Sequence, residues 1–226
     1  MSPRSYRMGQ RQAEVDETRA RIVAAARAQL TESGALSLDA VARRADVARA
    51  TVYYQYKSKT GLLEALCDAL AAEGGMARLA EAFGHPDPWT AVDRFVEVMA
   101  GFWSVDPACT RRLRALGALD EEVGRVIAER DARRRQGAAV LAGRLPGAPS
   151  DAAALLHILT SFETFDALAS ESPSAAPESP SLGSIEAIGS IEAAVPAVTR
   201  LARAALGAPV EPGAPGAPGE RGQPAS

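Results

Sequence analysis

The sequence predicts an all-α protein, and three observations carry the prediction. Alanine supplies much of the 47% apolar share while aromatics reach only 5%, so the best helix former is abundant and strand-favouring runs are scarce. Apolar residues recur at helical spacing, as at Ile22, Val23, Ala26 and Leu30. Helix-start signals recur as well, with an N-cap aspartate followed by proline at Asp87-Pro88 and again at Asp106-Pro107. A length of 226 residues suits one large domain or two small ones.

Each element follows from local signals. Residues 1–15 are polar and without apolar periodicity, which predicts a mobile arm carrying Arg4, Arg7 and Arg11. A helix is expected from Asp16 to about Glu32, ended by Gly34. Ser37 then caps a short helix over Leu38–Ala45 with Asp39 in its positive first turn. Asp46 and Val47 make a tight turn into a second short helix, Arg49–Tyr54. Ser58 caps a longer helix through Leu62, Leu63, Leu66 and Leu70, which stops at Gly74-Gly75.

Beyond residue 74 five or six more helices are expected. The Asp87-Pro88 helix carries Trp89, Val92, Phe95, Val96, Met99, Phe102 and Trp103, and its apolar residues on more than one face predict a central, buried position. Asp106-Pro107 opens a basic-faced helix. Asp120 caps another, acidic at Glu121 and Glu122 and basic at Arg133, Arg134 and Arg135, where the arginines read as helix surface. Ser150 is expected to cap one continuous apolar helix through Leu155, Leu156, Phe162, Phe165 and Leu168. Residues 171–184 read as a Pro/Ser linker, running into a six-residue tandem copy, GSIEAI then GSIEAA, that matches no helical period. In the last helix Pro196 predicts a kink or a late start. Residues 208–226, rich in Pro and Gly, read as a disordered tail.

Composition excludes several chemistries. Cys67 and Cys109 are the only cysteines and form no CxxC, so they read as small buried hydrophobes rather than a disulfide or zinc framework. His85 and His157 are too few and too far apart for a metal cluster, and no cofactor is expected. No apolar window approaches the ~18 residues of a membrane span. No signal peptide is recognised, and a cytoplasmic protein is the expectation. Nor does any glycine-rich phosphate loop or nucleophile elbow point to an enzyme.

A net charge of −3 argues against a polycationic nucleic-acid coat, yet the charge is unevenly placed. Residues 1–70 hold 11 Lys and Arg against 8 Asp and Glu, whereas residues 71–226 hold 14 against 20. The positive head coincides with the most informative stretch, LDAVARRADVARATVYYQYKSKTGLLEAL, Leu38 to Leu66. It reads as a helix-turn-helix braced by a third helix. The second short helix exposes Arg49, Thr51, Tyr53 and Gln55, while Val52 and Tyr56 turn inward. Arginine pairs bidentately with guanine, threonine meets a thymine methyl and glutamine pairs with adenine. Tyrosine and lysine donate to phosphates, and the amino end of the Ser58 helix, with Lys59, suits a phosphate.

From Thr18 to Leu70, and above all in YYQYKSKTGLL, the chain resembles the TetR family of transcriptional regulators. The resemblance implies an all-α fold with an N-terminal DNA-binding domain, over residues 16–73, and a C-terminal regulatory and dimerisation domain, over residues 74–207. It further implies a double-stranded operator, a small hydrophobic effector and a homodimer. By the same resemblance, residues matching Thr51, Tyr53 and Lys59 contact DNA. The chain departs from the family in having Asp46 where glycine is usual and Ala48 where Ser or Thr often caps the recognition helix. The Gly34–Ser37 segment is also about two residues shorter than usual.

Each candidate has a plainer reading. Tyr54 is expected to pack, and Arg43 and Arg44 to form a solvated face, with Arg44 the better candidate for a backbone contact. Arg4, Arg7 and Arg11 read first as a soluble tail and second as a minor-groove arm. The effector-pocket candidates Phe95, Met99, Phe102, Trp103, His157 and Phe162 compete with a core role, His157 as a satisfied buried histidine. The Phe162 helix and the final helix are expected to form the dimer interface. The rivals are a helical adaptor without DNA binding and an all-α enzyme.

Overall fold

The computed structural model describes residues 3–171 and 190–208. In chain order the helices are α1 (Pro3–Ser33), α2 (Leu38–Arg44), α3 (Arg49–Tyr56) and α4 (Lys59–Glu73). After a 3-10 turn at Met76–Arg78 come α5 (Leu79–Gly84), α6 (Pro88–Ser104), α7 (Pro107–Leu119) and α8 (Glu121–Ala142). The chain then forms α9 (Ala152–Leu159), α10 (Phe162–Glu171), a second 3-10 turn at Ile191–Ala194, and α11 (Val195–Ala205). Among the described residues there is no strand, and no single helix is long and apolar enough to cross a membrane.

Several helices start where a short polar side chain satisfies amides that the first turn leaves free. Ser58 Oγ accepts from the Gly61 N–H at 3.0 Å to open α4. Asp87 accepts from Thr90 at 2.7 Å for α6, and Asp106 from Cys109 at 2.8 Å for α7. Asp120 accepts from both Glu122 and Val123 for α8. Ser37 stands at the N-cap of α2 but makes no side-chain cap bond there.

Three expectations are corrected, and one alternative is decided. The mobile arm over 1–15 is instead the first part of α1, which begins at Pro3. Its Arg, Gln, Glu and Ala residues are strong helix formers, and Gln12 donates to Asp16 one turn on, at 2.9 Å. The side chains of Arg4, Arg7 and Arg11 lie outside the described residues. The helix expected from Ser150 is two helices, α9 and α10, bent by 51°. Buried Thr160 ends the first by returning its hydroxyl to the Leu156 carbonyl at 2.7 Å, while Ser161 Oγ takes the Thr164 N–H for the second. Ser150 is not the cap of α9; Asp151 stands there and makes no cap bond. Pro196 lies in the first turn of α11, the late start of the two alternatives. Of the tandem copy only residues 190–194 are described; most of the 171–184 linker and of the 208–226 tail lie outside the described residues.

Two apolar cores result. One joins Ile22 and Leu30 of α1 with Val41, Val52, Leu62, Leu63 and Leu66, and takes in Cys109, Leu113, Val123 and Val126 from α7 and α8. The three-helix head is therefore packed directly onto the body. Arg27 reinforces the joint, its Nε donating to Asp106 at 2.6 Å and a terminal nitrogen to the Val105 carbonyl at 3.2 Å. The other core packs Phe95, Val96, Met99 and Trp103 of α6 against Leu141, Leu156, Phe165, Val198 and Leu206. Phe162 and Phe165 of α10 point into this core. The apolar side chains that α9 and α11 leave exposed are Ile158 and Leu201.

Helices α4 and α6 cross at Gly74, where a Cβ would lie 2.5 Å from the Phe102 Cα. Glycine permits the approach that brings α4 against the second core.

Candidate nucleic-acid interface and effector cavity

The turn between α2 and α3 places Asp46 in the left-handed region at φ 52°, a conformation that Asp accepts more readily than most residues. Ala48 precedes α3 without a capping bond, so packing must hold α3 in place. Val52 and Tyr56, one turn apart, provide it from the inner face. The Tyr56 hydroxyl also donates to the Arg19 carbonyl at 2.9 Å, and burial pushes its phenol above the usual range. At the α3–α4 corner Lys57 has φ 66°, and a Cβ at Gly61 would come within 2.2 Å of the Tyr56 carbonyl. This tight corner joins α3 closely to the amino end of α4.

The outer face of α3 carries Arg49, with 70% of its side chain exposed, and Tyr53, at 61%. Thr51 and Gln55 are half-buried. Tyr54 is corrected from a packing role. It is 72% exposed, with Lys57 Nζ 4.8 Å from its ring centroid, because the inward stripe already falls on Val52 and Tyr56. Three cations of this region are held by carboxylates of the chain. Arg49 reaches Asp39 at 3.2 Å, Arg44 forks onto Glu32 at 2.5 and 2.6 Å, and Lys59 meets Asp120 at 2.5 Å. The Lys59 ammonium and the Val123 amide hold the Asp120 carboxyl below the usual carboxylate range. Arg43 is exposed.

The sequence-predicted pocket residues only partly assemble. Phe95, Met99, Phe102 and Trp103 line a cavity of about 380 Å³ between α4, α5, α6 and α8. Phe162 stands behind it, edge-on to Trp103 with centroids 5.6 Å apart. His157 does not line it either; its Nε2 lies 3.4 Å from Arg134, which does. Burial, with Arg134 and Arg135 beside it, holds His157 below its ordinary pKa, and its buried Nδ1 has no hydrogen-bond partner among the described residues. The reading of a satisfied histidine is thereby corrected.

Sequence reasoning missed Met76, Leu79 and Phe83 on the cavity wall, although their spacing is helical. It also missed Arg130 and Arg134. Arg134 was expected on the helix surface but keeps only 7% of its side chain exposed, because α9 covers that part of α8. A larger groove of about 720 Å³ runs between α1 and α4, lined in good part by alanines and without the aromatic wall. Cys67 and Cys109 are buried and unoxidised, with burial pushing the Cys109 thiol up to about 11. No group of side chains suited to a metal ion occurs among the described residues.

The sequence profile of the bacterial regulatory proteins, tetR family, matches residues 22–66, from the middle of α1 into α4. No curated protein matches the chain. A transcriptional regulator from Rhodococcus sp. Rha1 has a similar structure, with a TM-score of 0.57 and 21% identity over 83% of this chain and 97% of that one. The multidrug binding protein EbrR, complexed with imidazole, is also similar, with a TM-score of 0.50 and 23% identity over 82% of this chain and 89% of that one. Residues 22–66 thus form a DNA-binding helix-turn-helix of the kind found in bacterial regulatory proteins of the tetR family, joined to a helical body whose fold resembles these two structures.

Proposed function

We propose that the protein is a cytoplasmic, homodimeric repressor that leaves a palindromic operator when a small apolar effector enters the α4–α6–α8 cavity. The observation that carries this reading is α4 itself. Its amino end follows α3 across the single corner Lys57-Ser58 and carries Lys59, and its later turns supply Asp68 and Ala71 to the cavity wall. A ligand that shifts this one helix changes the position of α3 relative to its counterpart in the dimer. Release requires only that the effector favour the spacing incompatible with DNA, by a coupling of about 1–3 kcal/mol.

In this reading residues 16–73 bind DNA and residues 74–207 bind the effector and the second subunit. Arg49, Thr51 and Gln55 read bases in the major groove, and Tyr53, Lys59 and Arg44 hold phosphates. The ion pairs to Asp39, Asp120 and Glu32 are partly or well exposed, and such pairs are readily exchanged for phosphate. The dimer forms through α9, α10 and α11, with Ile158 and Leu201 on the contact face.

Fluorescence anisotropy on DNA from the protein's own promoter, over a salt series and with candidate effectors, tests the reading. Salt-dependent binding to a palindrome, lost on effector addition, is expected. Thr51→Ala should alter preference among operator variants. Absence of any salt-dependent binding would leave a helical adaptor as the better description.

A further inference from the structure

The cavity has two unlike sides. Phe83, Phe95, Met99, Phe102 and Trp103 form an apolar wall, whereas Arg130, Arg133 and Arg134 project from one face of α8 at spacings that align them. Two carboxylates lie among these arginines, and both are already engaged. Asp68 accepts from Arg130 at 2.6 Å. Asp131 accepts from Arg114 at 3.1 Å, leaving Arg134 a longer approach of 3.4 Å. Arg133 also borders a neighbouring depression beside Glu64 and Glu129, so its charge is shared with that surface.

Arg130 and Arg134 both keep a buried Nε without a partner among the described residues, but Arg130 has a close carboxylate in Asp68, and Arg134 is the less compensated of the two. One terminal nitrogen donates to the His157 carbonyl. The other makes only two approaches of 3.4 Å, to Asp131 and to His157 Nε2. Its Nε is buried with no hydrogen-bond partner among the described residues. Nε and that second nitrogen form the side-on edge of a guanidinium, the edge that matches the two oxygens of a carboxylate. A buried donor left unsatisfied is costly, and a buried charge more so.

We infer that the effector is an amphipathic anion, a carboxylate head on an apolar body, with the head received by Arg134 and the body lying on the Phe95–Trp103 wall of α6. This rests on the cavity being the effector site proposed above. A cationic head would meet three arginines, and a neutral head would exchange charge-assisted bonds for ordinary ones. At about 380 Å³ the space lies within the range of small-molecule sites, roughly 300–1,000 Å³.

The test is a headgroup series on one body: 4-phenylbutanoate, 4-phenylbutanamide and 4-phenylbutylamine, titrated calorimetrically into the full chain and then into its DNA complex. The carboxylate should bind about tenfold more tightly than the amide, the difference between charge-assisted and neutral bonds, with the amine weakest. Arg134→Gln should bring the carboxylate to the level of the amide and leave the amide within about twofold. Where that variant fails to fold, the headgroup order on the native chain decides alone. Equal affinities, or an amine that binds best, would overturn the inference; if that amine also releases DNA, the effector reading stands without it. No binding by any of the three removes both.

Discussion

Tyr53 and Tyr54 stand on α3 with most of their rings in water, whereas Phe95 and Phe165 in the second core are 1% exposed or less. The arginines divide in the same way. Arg49 and Arg44 lie at the surface and hold carboxylates that solvent also reaches, while Arg134 is covered by α9 with its donors only partly used. Exposed cations exchange partners at little cost, which suits a surface that must take up and release a polyanion. Buried ones hold their partners selectively, which suits a site that must distinguish one small molecule from another. In the proposed function similar residue types serve both purposes, and burial decides which.

Truncating one aromatic in each region is the strongest way to break that contrast. Phe165→Ala should destabilise the fold by about 3–5 kcal/mol, read by urea denaturation, because it opens a void in a closed core. Tyr53→Ala should change stability by less than about 0.5 kcal/mol yet weaken operator binding. Equal stability losses would mean that the two regions are not physically distinct.

A smaller effect is expected at Lys59. Lys59→Ala should weaken binding to all sequences alike and reduce the slope of log K against log salt by about one. An unchanged slope would remove Lys59 from the phosphate contacts. Asp120→Asn sharpens the same point, since Asn caps a helix as well as Asp but does not hold the ammonium by charge. Operator affinity should rise roughly two- to fivefold, the range of an exposed ion pair. A fall would show that the Lys59–Asp120 pair positions α4 for DNA rather than competing with it.

The smallest effect belongs to His157, whose ordinary value of 6.5 is lowered in the fold by burial and then by its arginine neighbours. The folded state therefore binds this proton less readily than the unfolded chain. Stability from this group is complete above pH 6.5 and declines as the pH falls toward the lowered value. His157→Gln should flatten that part of a stability–pH curve, measured by thermal unfolding. An unaltered curve would show that His157 protonation is not linked to folding.

The helix-turn-helix was legible because its determinants are local. Ser58 and the turn at Asp46 act within four residues, and the Val52–Tyr56 stripe spans one turn. That same stripe implied that Tyr54 would face outward, a consequence the sequence reading did not draw. The cavity was half legible. Phe95, Met99, Phe102 and Trp103 were found because they share α6. Phe83 and Arg134 were not, because what places them on the wall is the crossing of separate helices. His157 and Phe162 were expected on the wall from their apolar surroundings, but the bend at Thr160 sets them behind it.

The sequence by itself determined where most helices begin, which family the head resembles, and that Val52 and Tyr56 form the inner stripe of α3. Capping and periodicity are energies between residues four or fewer apart, so a linear reading captures them. Tertiary structure alone decided that Lys59 meets Asp120 and that Arg134 is buried beneath α9. Both depend on burial and on pairings across tens of residues. Their strength is set by which helices come to lie together, a property that no short stretch of sequence carries.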